Sequence, residues 1–192
     1  QRQTQHQQRK KHIPKTYFLL IGTGPAEDLV TTIFQHAGLS TQLLRAGDLT
    51  ADQLANAYDA MDVFAFASKS ETQSMVISEA MACGIPVVAL DAAGTRELVA
   101  DRHNGRLLQT QSCVDFAEAL QWIADQPALN RLALSQAARK TALQLSIEQT
   151  ADQALKYYAR LISQQTKLPG KTDHQLKQLL QSIKAEWAII ED

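Results

Sequence analysis

From Tyr17 onward the chain alternates short apolar runs with stretches of helical period. Tyr17 to Ile21 is an unbroken apolar run, the pattern of a strand covered on both faces. Gly22-Thr-Gly-Pro25 turns the chain, and Glu27 to Gly38 reads as a helix that stops on its glycine. A weaker strand spans Gln42 to Ala46 and closes on Gly47. Thr50 caps a helix from Ala51 to Ala60, whose Leu54, Ala57, Tyr58 and Met61 share one face. Val63 to Ala67 is a third strand, Ser74 to Cys83 a third helix ended by Gly84-Ile-Pro86, and Val87 to Leu90 a fourth strand. A short helix over Thr95 to Ala100, a tight Asn104-Gly105 turn and a last strand from Arg106 to Leu108 follow. Strands separated by helices in this way require right-handed crossovers and a parallel sheet covered on both sides. The pattern predicts an α/β fold, a doubly wound parallel sheet with C-terminal helices.

Those helices run from Cys113 to Asp125, Ala128 to Leu145 and Ile147 to Gln164, with Pro127 between the first two. Lys167-Leu-Pro-Gly170 reads as a linker, and His174 to Ile190 as a last amphipathic helix bearing Trp187. That helix has too few turns to stand alone and must dock on something. At the other end, residues 1–15 lack an apolar period and carry five Gln and a basic cluster at Arg9, Lys10 and Lys11. So small a cluster is a weak footprint for nucleic acid and reads instead as a solvated helix end broken by Pro14. The expected organisation is a polar helix end or linker over 1–15, one α/β domain over 16–165, and a linker with a final helix over 166–192.

Composition narrows the classes. With 192 residues, 45% hydrophobic and 20% charged, the chain can bury a core without disulfides or metal. Lys and Arg number 19 against 20 Asp and Glu, so the balance does not suit a nucleic-acid binder. Cys83 and Cys113 are too few for a disulfide scaffold or a four-thiolate zinc site, and the histidines show no ligand spacing. No apolar run approaches the ~20 residues of a membrane span. A cytoplasmic protein without nucleic-acid partner, cofactor or metal is expected.

Ligands of open parallel sheets sit at the carboxyl ends of the strands, where loops lead into helices. The first such loop, Gly22-Thr-Gly-Pro-Ala-Glu27, places an acid where a dinucleotide loop needs glycine, so it is not one. No phosphate loop of the Gly-Lys-Ser/Thr type, no His-Glu-x-x-His and no Gly-x-Ser-x-Gly elbow occurs. The third loop is richer. Ala67-Ser-Lys-Ser-Glu-Thr-Gln-Ser74 packs hydroxyls and Lys69 against a helix start, whose free amides from about Gln73 to Val76 would form an anion site. Glu71 in the loop and Glu79 inside the helix should lie about 10 Å apart at 1.5 Å per residue. That is too far for a shared proton or for a retaining hydrolase pair at ~5 Å. It suits two hydroxyl-bearing rings joined by a phosphate link. A plain reading stays open, with Glu79 a solvated helix residue and Glu71 a partner of the helix dipole.

The segment Glu71 to Glu79 resembles the Glu-x7-Glu motif of retaining glycosyltransferases with the GT-B fold, the family-4-like glycosyl transferases group 1. Leu20-Ile-Gly-Thr-Gly-Pro25 resembles that group's first turn, and Tyr58-Asp-Ala-Met-Asp-Val-Phe64 its helix-to-strand signature. Glu79-Ala-Met-Ala-Cys-Gly-Ile-Pro-Val-Val88, Gly94-x-x-Glu-Leu-Val99 and Asp101-x-x-Asn-Gly105 follow in the group's order. The resemblance covers residues 8 to 160 and implies the donor-binding, Rossmann-like half of a GT-B enzyme. It implies that Glu71 contacts donor-sugar hydroxyls near the reacting carbon, as the catalytic residue in a positioning and charge-stabilising sense. Glu79 would accept from ribose hydroxyls, and Gln73, Ser74 and Met75 would offer amides to the diphosphate and sugar. Gly22 and Gly24 form the first donor loop, while Gly47 and Asp48 would lie near the nucleobase. The reaction implied is transfer of a hexose from a nucleotide-diphosphate sugar with retention of the anomeric configuration and without a bound metal.

Departures from the group's pattern also set expectations. Ser74 stands where the group usually has glycine, which would narrow the approach to the phosphate. The strand and loop that normally bring an Arg and a Lys to the diphosphate, and the N-terminal acceptor half, are not in this sequence; Lys69 could replace one cation, while Arg96, near Gly94, could touch the donor but reads first as a surface arginine. The chain is therefore expected to need an acceptor domain or partner chain, to be inactive alone, and as part of a full enzyme to allow peripheral membrane association. Two other classes fit less well: a non-catalytic nucleotide-sugar or subunit-binding module, and a nucleotide-sugar 2-epimerase-like enzyme.

Overall fold

The computed structural model describes residues 16–69 and 74–165, together with Gln178 and Gln181. Glu71, Gln73, the basic cluster of residues 9–11, the linker at 167–170 and the expected helix from His174 to Ile190 with Trp187 lie outside the described residues. The chain divides between Ala60 and Met61 into two compact units.

The first unit pairs two parallel strands. Strand β1 (Phe18–Ile21) leads into helix α1 (Glu27–His36), a 3-10 turn (Ser40–Gln42), strand β2 (Leu43–Gly47) and helix α2 (Ala51–Asp59). Phe18 pairs with Leu43 at one end of the register and Ile21 with Gly47 at the other. The Phe18 and Phe34 rings, 5.7 Å apart, pack α1 on β1. Thr50 caps α2 as expected: its hydroxyl accepts from Gln53 N–H while the Gln53 side chain accepts from Thr50 N–H at 3.0 Å. Gly38, left-handed at φ +68°, follows α1.

The second unit holds the larger core. It runs through β3 (Phe64–Phe66), α3 (Met75–Ala82), β4 (Val87–Leu90), α4 (Ala93–Arg96), β5 (Gly105–Leu108), α5 (Cys113–Ala124), α6 (Ala128–Gln144) and α7 (Ile147–Gln165). Its sheet is parallel in the order β3-β4-β5. Strand β4 is buried throughout, and its period of two splits the core. Val87 and Ala89 pack with Ile77 and Met81 of α3 and Ala138 of α6. Val88 and Leu90 face the other way, onto Ala119 and Ile123 of α5. Helices on both faces of a parallel sheet are what the alternation of strands and helices implied; the run Tyr17 to Ile21, expected to be covered on both faces, leaves Tyr17 and Phe18 exposed. Among the described residues the strands form a two-stranded and a three-stranded parallel sheet, one in each unit.

Three local devices fix the second unit. Helix α3 ends in a Schellman arrangement, with Ile85 N–H on Ala80 O at 3.0 Å and Gly84 N–H on Met81 O at 2.8 Å. Gly84 adopts φ +79° to allow it. The short helix expected over Thr95 to Ala100 lies earlier, at Ala93–Arg96. The Thr95 hydroxyl explains the shift: it donates to Leu90 O at 2.6 Å and accepts from Ala92 N–H at 2.9 Å, starting the helix upstream. Buried Asn104 accepts from Ala100 N–H at 2.8 Å and donates to Leu98 O at 2.8 Å and to Thr141 Oγ1 at 3.0 Å, tying the turn to α6. The last strand starts at Gly105, one residue before the expected Arg106, because the backbone there lies against Val87 with no room for a side chain.

Candidate functional site

Each unit presents a cluster of loop residues at the carboxyl ends of its strands. In the first, the predicted Gly22, Gly24, Gly47 and Asp48 come together. Gly22 N–H donates to Gly47 O at 2.8 Å, with φ +94° at Gly22 and +66° at Gly47. These left-handed glycines let two loops meet backbone to backbone. Gly24 O accepts from Glu27 N–H at 3.1 Å and opens α1. Thr23, which the sequence reading left as a turn residue, donates to both oxygens of Asp48 at 3.2 Å. The acid at Glu27 is answered by Arg45, whose Nη1 lies 3.3 Å away. The loop therefore presents backbone and a fixed carboxylate, Asp48, rather than an anion cradle.

In the second unit the amino end of α3 is the chemically distinctive feature. Ser74 is its N-cap, only 1% exposed, and makes no side-chain capping bond. Its Oγ is buried with no hydrogen-bond partner among the described residues. Buried hydroxyls are normally paired, and one left unpaired at a helix start is an unspent donor beside the positive end of a dipole. The side chain is turned in, so the steric narrowing expected of Ser74 is not built from an exposed hydroxyl. Met75 occupies the first helical position, where the N–H lies outside the helical ladder. Glu79 sits one turn further along, exposed. The sequence-predicted pair with Glu71 falls partly outside the described residues, as does Gln73.

The structure adds a charged group the sequence reading missed. Asp91, directly after β4, accepts from Arg96 Nε at 2.7 Å. Gln109 also hydrogen-bonds the Asp91 carboxylate, and Lys69 acts on it electrostatically. Arg96 chiefly, against a smaller opposing effect of burial and with help from Gln109 and Lys69, holds the Asp91 carboxyl below the ordinary carboxylate range. Arg96 is thus not a free surface arginine. The signal available in the sequence was the tight Ala92-Ala-Gly-Thr95 turn, which brings residues five apart within reach. On the far side of β5, Asp101 accepts from Arg106 Nε at 2.7 Å and from Leu107 N–H at 3.0 Å, and Arg106 lies over the Trp122 ring at 5.1 Å. Arg106, Leu107 and Trp122 line an open cavity of about 500 Å³ with Gln109 and Thr110. Among the described residues no helix is long and apolar enough to cross a membrane, and no group of three His, Cys, Asp or Glu could hold a metal.

Known proteins match this arrangement. The D-inositol 3-phosphate glycosyltransferase of Mycolicibacterium smegmatis is 35% identical over 144 residues, 74% of this chain and 32% of that protein. Sucrose-phosphate synthase from Thermosynechococcus elongatus superposes with a TM-score of 0.63 at 27% identity, over 76% of this chain and 38% of that one. Anabaena HepE, solved in complex with UDP, superposes with a TM-score of 0.60 at 27% identity, over 76% of this chain and 42% of that one. The chain spans about a third of the length of the curated relatives it matches. The family described as Glycosyl transferases group 1 matches residues 5–141, most of the chain, with the strands, turns and α3 start described above inside the match. The chain belongs to the glycosyl transferases group 1 family, with the α/β architecture of a GT-B half.

Proposed function

We propose that this chain is the donor-binding part of a retaining glycosyltransferase that moves a hexose from a nucleotide-diphosphate sugar to an acceptor held elsewhere in the full protein. The observation that carries the reading is the buried Ser74 hydroxyl at the amino end of α3, without a partner among the described residues and inside the family match. An anion seated there meets the dipole and the Met75 amide, and gains the Ser74 hydroxyl as a donor when that side chain rotates out of its buried position. Relatives bearing donor or sugar-phosphate chemistry in their names support it, HepE with its bound UDP above all.

The roles follow the reading. The diphosphate rests on Ser74 and Met75, with Gln73 beside them. Glu79 accepts from ribose hydroxyls, and Glu71 from the hexose hydroxyls near the anomeric carbon. Gly47 and Asp48, with the Gly22 and Gly24 loop, serve the nucleobase. In the transfer the bond from the anomeric carbon to the diphosphate oxygen breaks and its electron pair leaves with the diphosphate. The acceptor oxygen forms the new bond on the same face and loses its proton. Fixed dipoles and cations stabilise the departing charge, a large term in a site that excludes water. The reading calls for no metal and no cofactor, places the protein in the cytoplasm with no nucleic-acid partner, and gives the full enzyme room for peripheral membrane contact. By itself the chain is expected to turn over little.

Calorimetric titration with UDP, GDP, ADP and their glucose, mannose and N-acetylglucosamine derivatives tests this. Selective binding of one base, weakened about tenfold or more by Glu79→Ala through the lost ribose contacts, is the expected result. Tight binding that ignores the base and survives Glu79→Ala would overturn it.

A further inference from the structure

Side chains from three separate loops converge on one carboxylate at the end of β4. The Asp91 N–H donates to Leu108 O at 2.7 Å, which ties the start of its loop to β5. Its carboxylate is only 12% exposed and accepts from Arg96 Nε, while the Arg96 side chain is 65% exposed. Gln109 arrives from the loop after β5, and Lys69 from the loop after β3. The turn between Asp91 and Arg96 is closed by the Thr95 hydroxyl, which donates to Leu90 O at 2.6 Å and accepts from Ala92 N–H at 2.9 Å.

Ion pairs exposed on both sides contribute little to stability. This pair is lopsided: the acid is largely covered and drawn on by three loops, and the cation faces solvent from a rigid turn. Such an arrangement orients the guanidinium more than it neutralises it. Arg96 uses Nε on Asp91, and the end-on fork of two terminal nitrogens in a guanidinium matches the spacing of phosphate oxygens. Counting Lys69, Arg96 and Asp91, the cluster carries one net positive charge at the same edge of the sheet as Ser74.

We infer that Asp91 is a positioning residue that holds Arg96 as a cation for the diphosphate of the nucleotide sugar, beside the amino end of α3. The inference rests on the donor-site reading above and names a residue pair for it. Arg96 then takes part of the charge left on the diphosphate when the sugar leaves, and Lys69 adds to the same field.

The test compares the full chain with Arg96→Gln, Arg96→Lys and Asp91→Asn by calorimetry. Each is titrated with UDP, GDP and ADP and with the monophosphate of whichever base binds. Arg96→Gln should weaken the diphosphate about tenfold through loss of a charge-assisted contact, and change the monophosphate far less. Arg96→Lys should recover part of that loss. Asp91→Asn, which leaves the guanidinium but frees it, should weaken the diphosphate less than Arg96→Gln and, because it raises the cluster's net charge, steepen the dependence of that affinity on salt. Circular dichroism shows which variants fold; if Arg96→Gln does not, the Arg96→Lys ratio of diphosphate to monophosphate affinity decides. An unchanged ratio in the folded Arg96 variants, with Glu79→Ala still weakening binding about tenfold or more, overturns this inference and leaves the donor-site reading standing. Failure of the wild-type chain to bind any of the three diphosphates overturns both.

Discussion

Replacing Ser74 by alanine separates the cost of a binding site from the cost of a fold. Ser74 is the N-cap of α3, and removing a capping serine ordinarily costs about 1 kcal/mol. Here the hydroxyl makes no capping bond and has no partner among the described residues, so that loss does not apply. At 1% exposure the hydroxyl instead carries a desolvation penalty of roughly 1–3 kcal/mol. Ser74→Ala, which removes only the oxygen, should therefore stabilise the ligand-free chain by about 1 kcal/mol. For a unit of this size that is a rise in Tm of about 4 °C. The same change should weaken nucleotide diphosphate by about tenfold, the worth of one hydrogen bond to a charged acceptor. Thermal unfolding followed by circular dichroism, with and without nucleotide, reads both effects. A fall in Tm of several degrees in the ligand-free variant would show that the hydroxyl caps or braces α3, and would refute the reasoning.

Two further effects follow from the packing and the charges. Gly105→Ala would drive a Cβ into the Val87 carbonyl of the central strand, forcing β4 and β5 apart; an overpacking cost of about 3 kcal/mol should lower Tm by roughly 10 °C. A variant melting within 2 °C of wild type would contradict that contact. Asp91 and Asp101 both sit below the ordinary carboxylate range, Asp91 through Arg96 first, and Asp101 because Arg106 and Leu107 outweigh the upward push of burial. Groups with depressed values stabilise the fold above the unfolded value near ~3.9 and lose that contribution as pH falls through the folded value. Unfolding free energy measured in urea should therefore fall below about pH 4, with a shallower fall in Asp101→Asn; identical acid profiles would remove Asp101 from the account.

What the sequence made legible was what a single period or residue type decides. The alternation of strands and helices announced a sheet covered on both sides, and the two core layers around Val87 to Leu90 bear that out; the apolar run Tyr17 to Ile21 announced the same for the first strand, yet Tyr17 and Phe18 are exposed. Thr50 with Gln53, and Gly84 after α3, marked helix ends through their own chemistry. The loop turns were legible where backbone geometry drives them, as at Gly22 and Gly47. The site was not legible where distant side chains meet. Nothing local in the sequence says that Thr23 reaches Asp48 across 25 positions, or that Lys69 and Gln109 gather on Asp91. Such pairings depend on strand order, which brings loops together that the chain keeps apart. The start of α4 moved for a similar reason, since the Thr95 hydroxyl bonds back to β4 instead of opening the helix itself.

The central claim is that a nucleotide diphosphate rests on the amino end of α3. Amide chemical shifts of the nitrogen-15-labelled chain, followed during titration with UDP, GDP and ADP, test it most directly. The account predicts that the binding diphosphate moves the Ser74 and Met75 amides most, and that Ser74→Ala blunts the response. Shifts centred instead on the Arg102, Arg106 and Trp122 cavity, with Ser74 and Met75 unmoved, would contradict it.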